Sequence, residues 1–310
     1  MRIIYTEDYS QQEAMEKVRD IVSRRGGQRY FLRTFGCQMN ERDSELLRGL
    51  LGGMGYTPTD TPEEADLVLF NSCAVRENAQ QRVFGNIGRL KSLQESRRDL
   101  LIGLCGCMAE QSKVQETLHR HYPYVRLAFG PHHLYKLPSL LLELLQGEGA
   151  KVFLQESGEY AVVESIPQER TPGIKAYVNI MEGCDNYCSY CIVPYARGRE
   201  RSRYSADILR EIKSLVQEGY REVMLLGQNV NSYGKGLDEE VDFASLLEKV
   251  AKVEGLWRIR FMTSHPKDLS ERVIQVMASN KNIMPSLHLP VQSGSNRLLK
   301  IMNRKYTREE

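Results

Sequence analysis

The sequence has almost no net charge. Its 42 basic residues against 40 acidic ones leave +2, so no bulk positive field announces a nucleic-acid partner, and any RNA binding must be local. Long apolar runs are also missing. From Met1 to about Arg25 the chain mixes Glu7, Asp8, Glu13, Glu16, Lys17 and Asp20 among isolated apolar residues, which excludes the apolar core of a secretory signal. Elsewhere the apolar stretches fall short of the roughly 20 residues that a membrane-spanning helix needs. There is no internal repeat and no low-complexity tract, and Gly52, Gly53 and Gly55 spell neither a G-x-G-x-x-G nor a Walker pattern, so they read as a helix stop and a turn. These absences point to a cytoplasmic protein that spans no membrane, and a monomer is expected. What remains is ordinary globular composition, 41% hydrophobic and 26% charged over 310 residues, with enough apolar side chains for two cores of common domain size.

Hydrophobic periodicity divides the chain. A charged extension over residues 1–27, with an amphipathic helix expected over Gln11–Val22, ends at Gly26-Gly27. Residues 28–146 then alternate: strand Tyr30–Thr34, helix Glu41–Leu51, strand Leu67–Phe70, a long helix through Glu77–Gln94, strand Leu100–Leu104, and a last helix with Leu140–Leu145. Strand–helix–strand order implies a parallel sheet. Residues 147–174 carry Gly147, Gly149, Gly158, Pro167, Pro172 and Gly173 among charges and read as a linker or short hairpin. A second series fills 175–310, with strands Ala176–Ile180, Glu222–Leu226, Trp257–Met262 and Ser286–Leu289 and helices Ala206–Gln217, Phe243–Val253 and Glu271–Ser279. The fold class is therefore α/β: a parallel-sheet domain followed by a repeated β/α unit of barrel or doubly wound type. Because the series stops after four strands, the natural protein is expected to be longer.

Seven cysteines stand at positions 37, 73, 105, 107, 184, 188 and 191. An odd number without a secretory signal argues for thiolates that bind metal or do chemistry. Cys184, Cys188 and Cys191 form a C-x3-C-x2-C run directly after the first strand of the second series, which places three thiolates on one short loop. A closed zinc site would need a fourth ligand, and no His lies between His133 and His265. A four-iron cluster held by three Cys instead keeps one iron open. This run resembles the radical-SAM superfamily, whose hallmark is this spacing at this place in a partial (β/α) barrel. The resemblance implies a [4Fe-4S] cluster whose open iron chelates S-adenosylmethionine, and a reducing electron donor that lets the cluster cleave the sulfonium. Where many relatives carry Gly-Gly-Glu after the second strand, this chain has Gly227-Gln228-Asn229. Gln228 and Asn229 remain candidates for cofactor contact at a strand's carboxyl end, and Ser264, His265, His288 and Gln292 follow or end the third and fourth strands by the same logic. A lone His is as readily structural.

Cys37, Cys73 and Cys107 are each reached just after an apolar strand of the first domain. In a parallel sheet the carboxyl ends share one edge, so three such thiolates can converge on a second cluster. Buried apolar packing is the alternative for any one of them. Cys105, two residues before Cys107, would face the same side within a strand.

The combination resembles the methylthiotransferases from Arg29 onward, and Gly106-Cys-Met-Ala109 matches the family pattern at Cys107 rather than Cys105. Gly36-Cys-Gln-Met-Asn-Glu41, Asp43-Ser-Glu45, Asn71-Ser-Cys-Ala-Val-Arg-Glu-Asn-Ala79 and Gly85-Asn-Ile-Gly88 resemble the branch that acts on dimethylallyladenosine in transfer RNA. The branches for threonylcarbamoyladenosine and for a ribosomal protein carry other words. The resemblance implies two [4Fe-4S] clusters and two molecules of S-adenosylmethionine that together place a methylthio group on adenine C2. It also implies tRNA, displayed at its anticodon loop, as partner. The rest of the barrel and a small β-rich RNA-binding module, usual in the family, have no counterpart here. Arg197, Arg199, Arg201 and Arg203 alternate after the cysteine loop and read equally as phosphate or carboxylate contacts and as a solvated face. A rival of another class is a non-catalytic iron–sulfur or zinc scaffold.

Overall fold

The run Leu67-Val-Leu-Phe70 alternates between two apolar faces, and this alternation organises the first part of the chain. In the computed structural model, which describes residues 2–6, 9–74, 77–147, 151–154 and 159–310, the chain divides into two units, Met1–Arg170 and Thr171–Glu310. Glu7, Asp8, Val75, Arg76, Gly149 and Gly158 lie outside the described residues.

The first unit holds β1 (Arg2–Thr6), α1 (Tyr9–Arg24), β2 (Gln28–Phe35), α2 (Gln38–Gly53), β3 (Tyr56–Pro58), β4 (Leu67–Ser72), α3 (Glu77–Arg89), α4 (Lys91–Ser96), β5 (Leu101–Cys105), α5 (Ser112–His121), β6 (Leu127–Phe129), α6 (Leu137–Gln146), β7 (Val152–Leu154) and β8 (Glu159–Val163). Six strands form one all-parallel sheet in the order β3-β2-β4-β5-β6-β7. On one face Leu67, Leu69 and Leu101 pack with Val18, Leu47, Leu51 and Leu141 of α1, α2 and α6. On the other, Val68, Phe70, Ile102 and Leu104 pack with Val83, Ile87 and Leu118 of α3 and α5. Helices thus cover both faces of the expected parallel sheet, giving three layers. Gly103 of β5 is required by close packing: a Cβ there would stand 2.7 Å from Leu69 Cδ2 and 3.1 Å from Leu127 Cβ.

Three sequence expectations change here. The long helix through Gln94 breaks at Leu90, whose buried side chain anchors a turn between α3 and α4. Gly85 and Gly88 lower helix propensity just before the break. The segment read as a linker contributes β7 to the sheet edge and β8 to a parallel pair with β1. The amino-terminal extension is likewise built into this unit, because α1 joins its core and the Ser139 N–H donates to Gln11 Oε1 at 3.2 Å.

The second unit contains β9 (Lys175–Asn179), β10 (Met181–Glu182), α7 (Val193–Ala196), β11 (Arg201–Ser202), α8 (Ser205–Gln217), β12 (Glu222–Leu226), α9 (Phe243–Ala251), β13 (Arg258–Phe261), α10 (Glu271–Ser279) and α11 (Asn296–Ile301). A parallel sheet in the order β13-β12-β9 is covered by α8, α9 and α10 through one core that includes Val178, Ile212, Leu225, Leu247, Ile259 and Val273. Asp242 caps α9, its Oδ1 accepting from Ser245 N at 2.7 Å, and Ser270 Oγ accepts from Val273 N at the start of α10.

The expected fourth strand over Ser286–Leu289 does not form. Its place is marked only by an isolated parallel bridge between Ile259 and Ile283. Pro285 and Pro290 flank the segment and cannot donate to a ladder, so residues 284–295 run as irregular extended chain. Ser264 N–H donates to the His288 carbonyl at 3.1 Å and ties that chain to the end of β13.

Candidate functional site

In the second unit the antiparallel pair β10–β11 closes a loop that carries Cys184, Cys188 and Cys191, with Glu182 facing Arg201 in the register. Gly183 enters the loop with φ +75°, and a Cβ there would lie 2.0 Å from the Arg199 carbonyl oxygen. Only glycine fits that turn. Cys184 N–H donates to Gly198 O at 3.1 Å and Cys191 N–H to Cys188 O at 2.9 Å, so the loop folds back on itself and gathers its thiols. Cys184 and Cys188 are buried and Cys191 is half-buried. Burial first, then the neighbouring Glu200, Cys191 and Cys188, pushes the Cys184 thiol up to about 11. Burial and Cys188 raise Cys191 as well. The three sulfurs thus feel one another electrostatically. Among the described residues no three His, Cys, Asp or Glu side chains already stand at ion-holding distance; a ligating set of thiols has to lose its protons. Three soft sulfur donors on one short loop suit an iron–sulfur cluster better than an oxygen-loving ion.

The same sheet edge carries buried polar atoms that find no hydrogen-bond partner among the described residues: Asn179 Oδ1 at the end of β9, Gln228 Oε1, Asn229 Oδ1 and Asn231 Nδ2 after β12, and Ser264 Oγ and His265 Nε2 after β13. Backbone and side-chain bonds hold these segments together. Val230 N–H donates to Thr263 O, His265 N–H to Asn231 Oδ1 at 3.1 Å, and Asn229 Nδ2 to Asp268 Oδ2 at 2.7 Å. Thr263 itself sits at φ +69°, a costly conformation for a β-branched residue. Burial, with help from the Arg304 cation, pulls His265 down to about 4. The imidazole is therefore neutral, and since its Nδ1 accepts from Lys267 N, Nε2 carries the proton and is a donor. Each unmet buried polar group costs about 1–3 kcal/mol, so six at one edge describe a surface built to receive a polar ligand.

Of the residues expected from the sequence, Gln228, Asn229 and Ser264 thus come together, with His265 beside them. Gln292 is exposed at φ +67° in the irregular chain, and His288 is also exposed. Arg201 and Arg203 correct both sequence alternatives, whereas Arg199 is exposed. Arg201 is buried in an ion pair with Glu182, and Arg203 donates to Glu211 Oε2 at 2.6 Å and to Asn179 O at 2.7 Å. They brace the hairpin instead of facing phosphates or solvent. Arg199 pairs with Asp185 at 2.7 Å, and Arg197 is buried.

The first unit places Cys37, Cys73 and Cys107 at the carboxyl ends of β2, β4 and β5, three adjacent parallel strands. Cys73 N–H donates to Phe35 O at 2.9 Å, and Met108 N–H to Ser72 O at 3.2 Å, so the residues beside each cysteine are cross-linked along one edge. Cys37 is exposed at the amino-terminal cap of α2. Cys105 ends β5 inside the core, and burial lifts its thiol well above the usual range. Gly106, at φ +86°, turns the chain before Cys107, so the two cysteines do not continue one strand face. Two features escaped sequence reasoning. One is a buried net in which Asn40 Nδ2 donates to Asn71 Oδ1 at 3.1 Å, Asn71 Nδ2 to Asn40 O and Ser44 Oγ at 2.9 Å each, while Asn40 Oδ1 accepts from Cys37 Sγ at 3.3 Å. The other is Arg304, whose Nη1 donates to Cys188 Sγ at 3.3 Å. Neither follows from periodicity; for the first, the short polar words around Cys37 and Cys73 were the available signal.

Comparison with known proteins places this architecture. Residues 29–130 match the family described as "Uncharacterized protein family UPF0004", and residues 178–310 match the radical SAM superfamily. The chain thus carries a radical SAM domain preceded by a UPF0004 domain. It is 51% identical over 301 residues to the tRNA-2-methylthio-N(6)-dimethylallyladenosine synthase of Alkaliphilus oremlandii, an overlap of 96% of this chain and 63% of the relative. It is 53% identical to the synthase of the same name from Clostridium perfringens, over 90% of this chain and 62% of the relative. A third, from Desulforamulus reducens, is 52% identical over 90% of this chain and 61% of its own length. The chain spans about three fifths of the length of these curated relatives. Among solved structures, the radical S-adenosylmethionine methyltransferase TsrM of Kitasatospora setae, with tryptophan and a SAM analogue, superposes with a TM-score of 0.57 at 15% identity, over 91% of this chain and 63% of that one. That similarity shows a shared fold. No helix among the described residues is long and apolar enough to cross a membrane.

Proposed function

We propose that this chain carries the catalytic part of a tRNA methylthiotransferase that replaces the hydrogen at C2 of N6-dimethylallyladenosine, next to the anticodon, with a methylthio group. The observation that carries the reading is the coincidence, at one edge of the second sheet, of a three-thiol loop with six buried polar atoms that lack hydrogen-bond partners among the described residues. Cys184, Cys188 and Cys191 hold one [4Fe-4S] cluster, and Cys37, Cys73 and Cys107 hold a second. Three protein ligands leave one iron of each open. A cluster held by Cys184, Cys188 and Cys191 would, once reduced by an external electron donor, supply the one electron that cleaves S-adenosylmethionine to methionine and a deoxyadenosyl radical. Radical chemistry suits the substrate, because the hydrogen on aromatic C2 is not acidic.

The residues of the edge bind and orient the cofactor. Neutral His265 offers an Nε2–H and Asn231 an amide N–H to acceptors such as a carboxylate or ribose oxygen. Gln228 and Asn229 offer carbonyl oxygens to donors such as an ammonium or adenine amino group. Ser264 can do either. The anticodon loop satisfies the need for a single-stranded, displayable base. The relatives named above support this substrate, and a cytoplasmic monomer is consistent with it.

Anaerobic reconstitution tests the reading. The chain should take up about eight irons, the triple variant C184A/C188A/C191A about four, and the reduced wild type should form deoxyadenosine from S-adenosylmethionine. Mass spectrometry of tRNA from a strain lacking the gene should show loss of the methylthio mass from dimethylallyladenosine. Loss from threonylcarbamoyladenosine, or from a ribosomal protein, would assign another branch; one bound zinc and no deoxyadenosine would make the protein a scaffold.

A further inference from the structure

Arg304 lies in the turn after α11 and is only 4% exposed. Among the described residues it forms no ion pair with a carboxylate, and a buried cation without a counter-charge is costly. Its guanidinium instead spans two groups: Nη2 donates to the Pro290 carbonyl at 2.7 Å, and Nη1 to Cys188 Sγ at 3.3 Å. Its Cζ lies 5.6 Å from the Tyr306 ring centroid, while the Tyr306 hydroxyl donates to the Val291 carbonyl.

The backbone around it is built for this placement. Asn303 and Lys305, on either side of Arg304, both take left-handed φ values, +55° and +59°, and Tyr187 in the cysteine loop has φ +50°. These strained stretches are locked to each other. Asn303 Nδ2 donates to Asn186 O at 3.2 Å and Tyr187 O at 2.9 Å, and Ser189 N–H donates to Met302 O at 3.1 Å. Strain of this kind persists only where its surroundings over-determine it. Here it brings a buried positive charge to one sulfur of the triad.

We infer that Arg304 is a positioning and tuning residue of the Cys184/Cys188/Cys191 site: its guanidinium is the fixed counter-charge of the Cys188 thiolate and makes the bound iron–sulfur cluster easier to reduce. The inference rests on the proposed cluster at that triad. When the cluster takes one electron from an external reductant such as dithionite, its charge becomes more negative by one, and a cation hydrogen-bonded to a ligating sulfur favours that state. Asn303 has a separable role, holding the loop without contributing charge.

The test is an EPR-monitored redox titration of the anaerobically reconstituted chain, with iron counting, for wild type, R304Q, R304K and N303A. R304Q should retain the cluster and be reduced about tenfold less at a fixed potential, which is a downward midpoint shift of about 59 mV for a one-electron couple. R304K keeps the charge and should titrate close to wild type. N303A should keep the wild-type midpoint but lose iron faster to a chelator. A wild-type midpoint in R304Q overturns the inference, as does a shift in N303A or R304K equal to that of R304Q, which would make loop packing the cause. If R304Q takes up no iron, R304K decides: loading at the wild-type midpoint supports the role, and failure of both variants overturns it by making Arg304 a folding residue. Iron unaffected by C184A/C188A/C191A would instead sink the cluster assignment itself, so the two failures are distinguishable.

Discussion

Replacing Gly183 with alanine tests whether the hairpin, and not the cysteine spacing alone, makes the triad a site. An alanine at φ +75° costs about 1–2 kcal/mol in backbone conformation. Its Cβ would also meet a carbonyl oxygen at 2.0 Å, the Arg199 main chain, which no rotamer change relieves. The displacement needed would break the Cys184 N–H to Gly198 O bond, about 1 kcal/mol more. The sum, about 2–3 kcal/mol, falls on the loop and not on the core of β9, β12 and β13, so a unit of ordinary stability, about 5–15 kcal/mol, stays folded while its loop opens. After anaerobic reconstitution G183A should therefore lose about four of eight irons and form no deoxyadenosine, with circular dichroism near that of wild type and a urea midpoint lowered for the second unit. Wild-type iron content together with a wild-type midpoint would refute the argument that this turn assembles the ligand set.

The two neighbouring cysteines of the first unit should separate cleanly. C107A should lower bound iron by about four, whereas C105A should leave iron unchanged and cost about 1 kcal/mol in stability, because Cys105 is a core thiol; iron analysis beside chemical denaturation checks both, and equal iron loss in the two would contradict the assignment. His265 gives a pH signature. Its folded value of about 4 lies below the ordinary 6.5, so the unfolded chain binds the proton more readily, and the stabilisation is complete above pH 6.5 and lost as pH falls toward 4. The loss approaches about 3 kcal/mol, and urea midpoints of the wild type should drop between pH 7.5 and 5 more steeply than those of H265Q; parallel curves would exclude His265 as the cause.

Much of the architecture was legible because its signals are local. Parallel strands buried on both faces read as apolar runs, and helices read as periodic ones, so β2, β4, β5, β9, β12 and β13 fall close to where periodicity put them. The fourth strand of the second series failed for a reason visible only with partners: Leu287 and His288 look like strand residues, yet they are exposed beside two prolines that cannot donate. The arginine run failed in the opposite direction. Its alternation left a ligand face and a solvated face equally open, but Arg201 and Arg203 turn inward because Glu182 and Glu211, 19 and 8 residues away in sequence, supply half-buried counter-charges.

What the sequence determined by itself was the chemistry of the donors. Three cysteines within eight positions on one loop, and three more after successive strands, follow from spacing and strand order, which need no side-chain packing to be read. The tertiary structure decided which groups surround them. That Cys105 lies in a core while Gly106 turns the chain before Cys107, that six polar atoms from three strand ends share one edge, and that Arg304 reaches a sulfur 116 residues earlier in the chain all depend on contacts between distant segments. Such contacts carry no period and no motif, so only the folded chain reveals them.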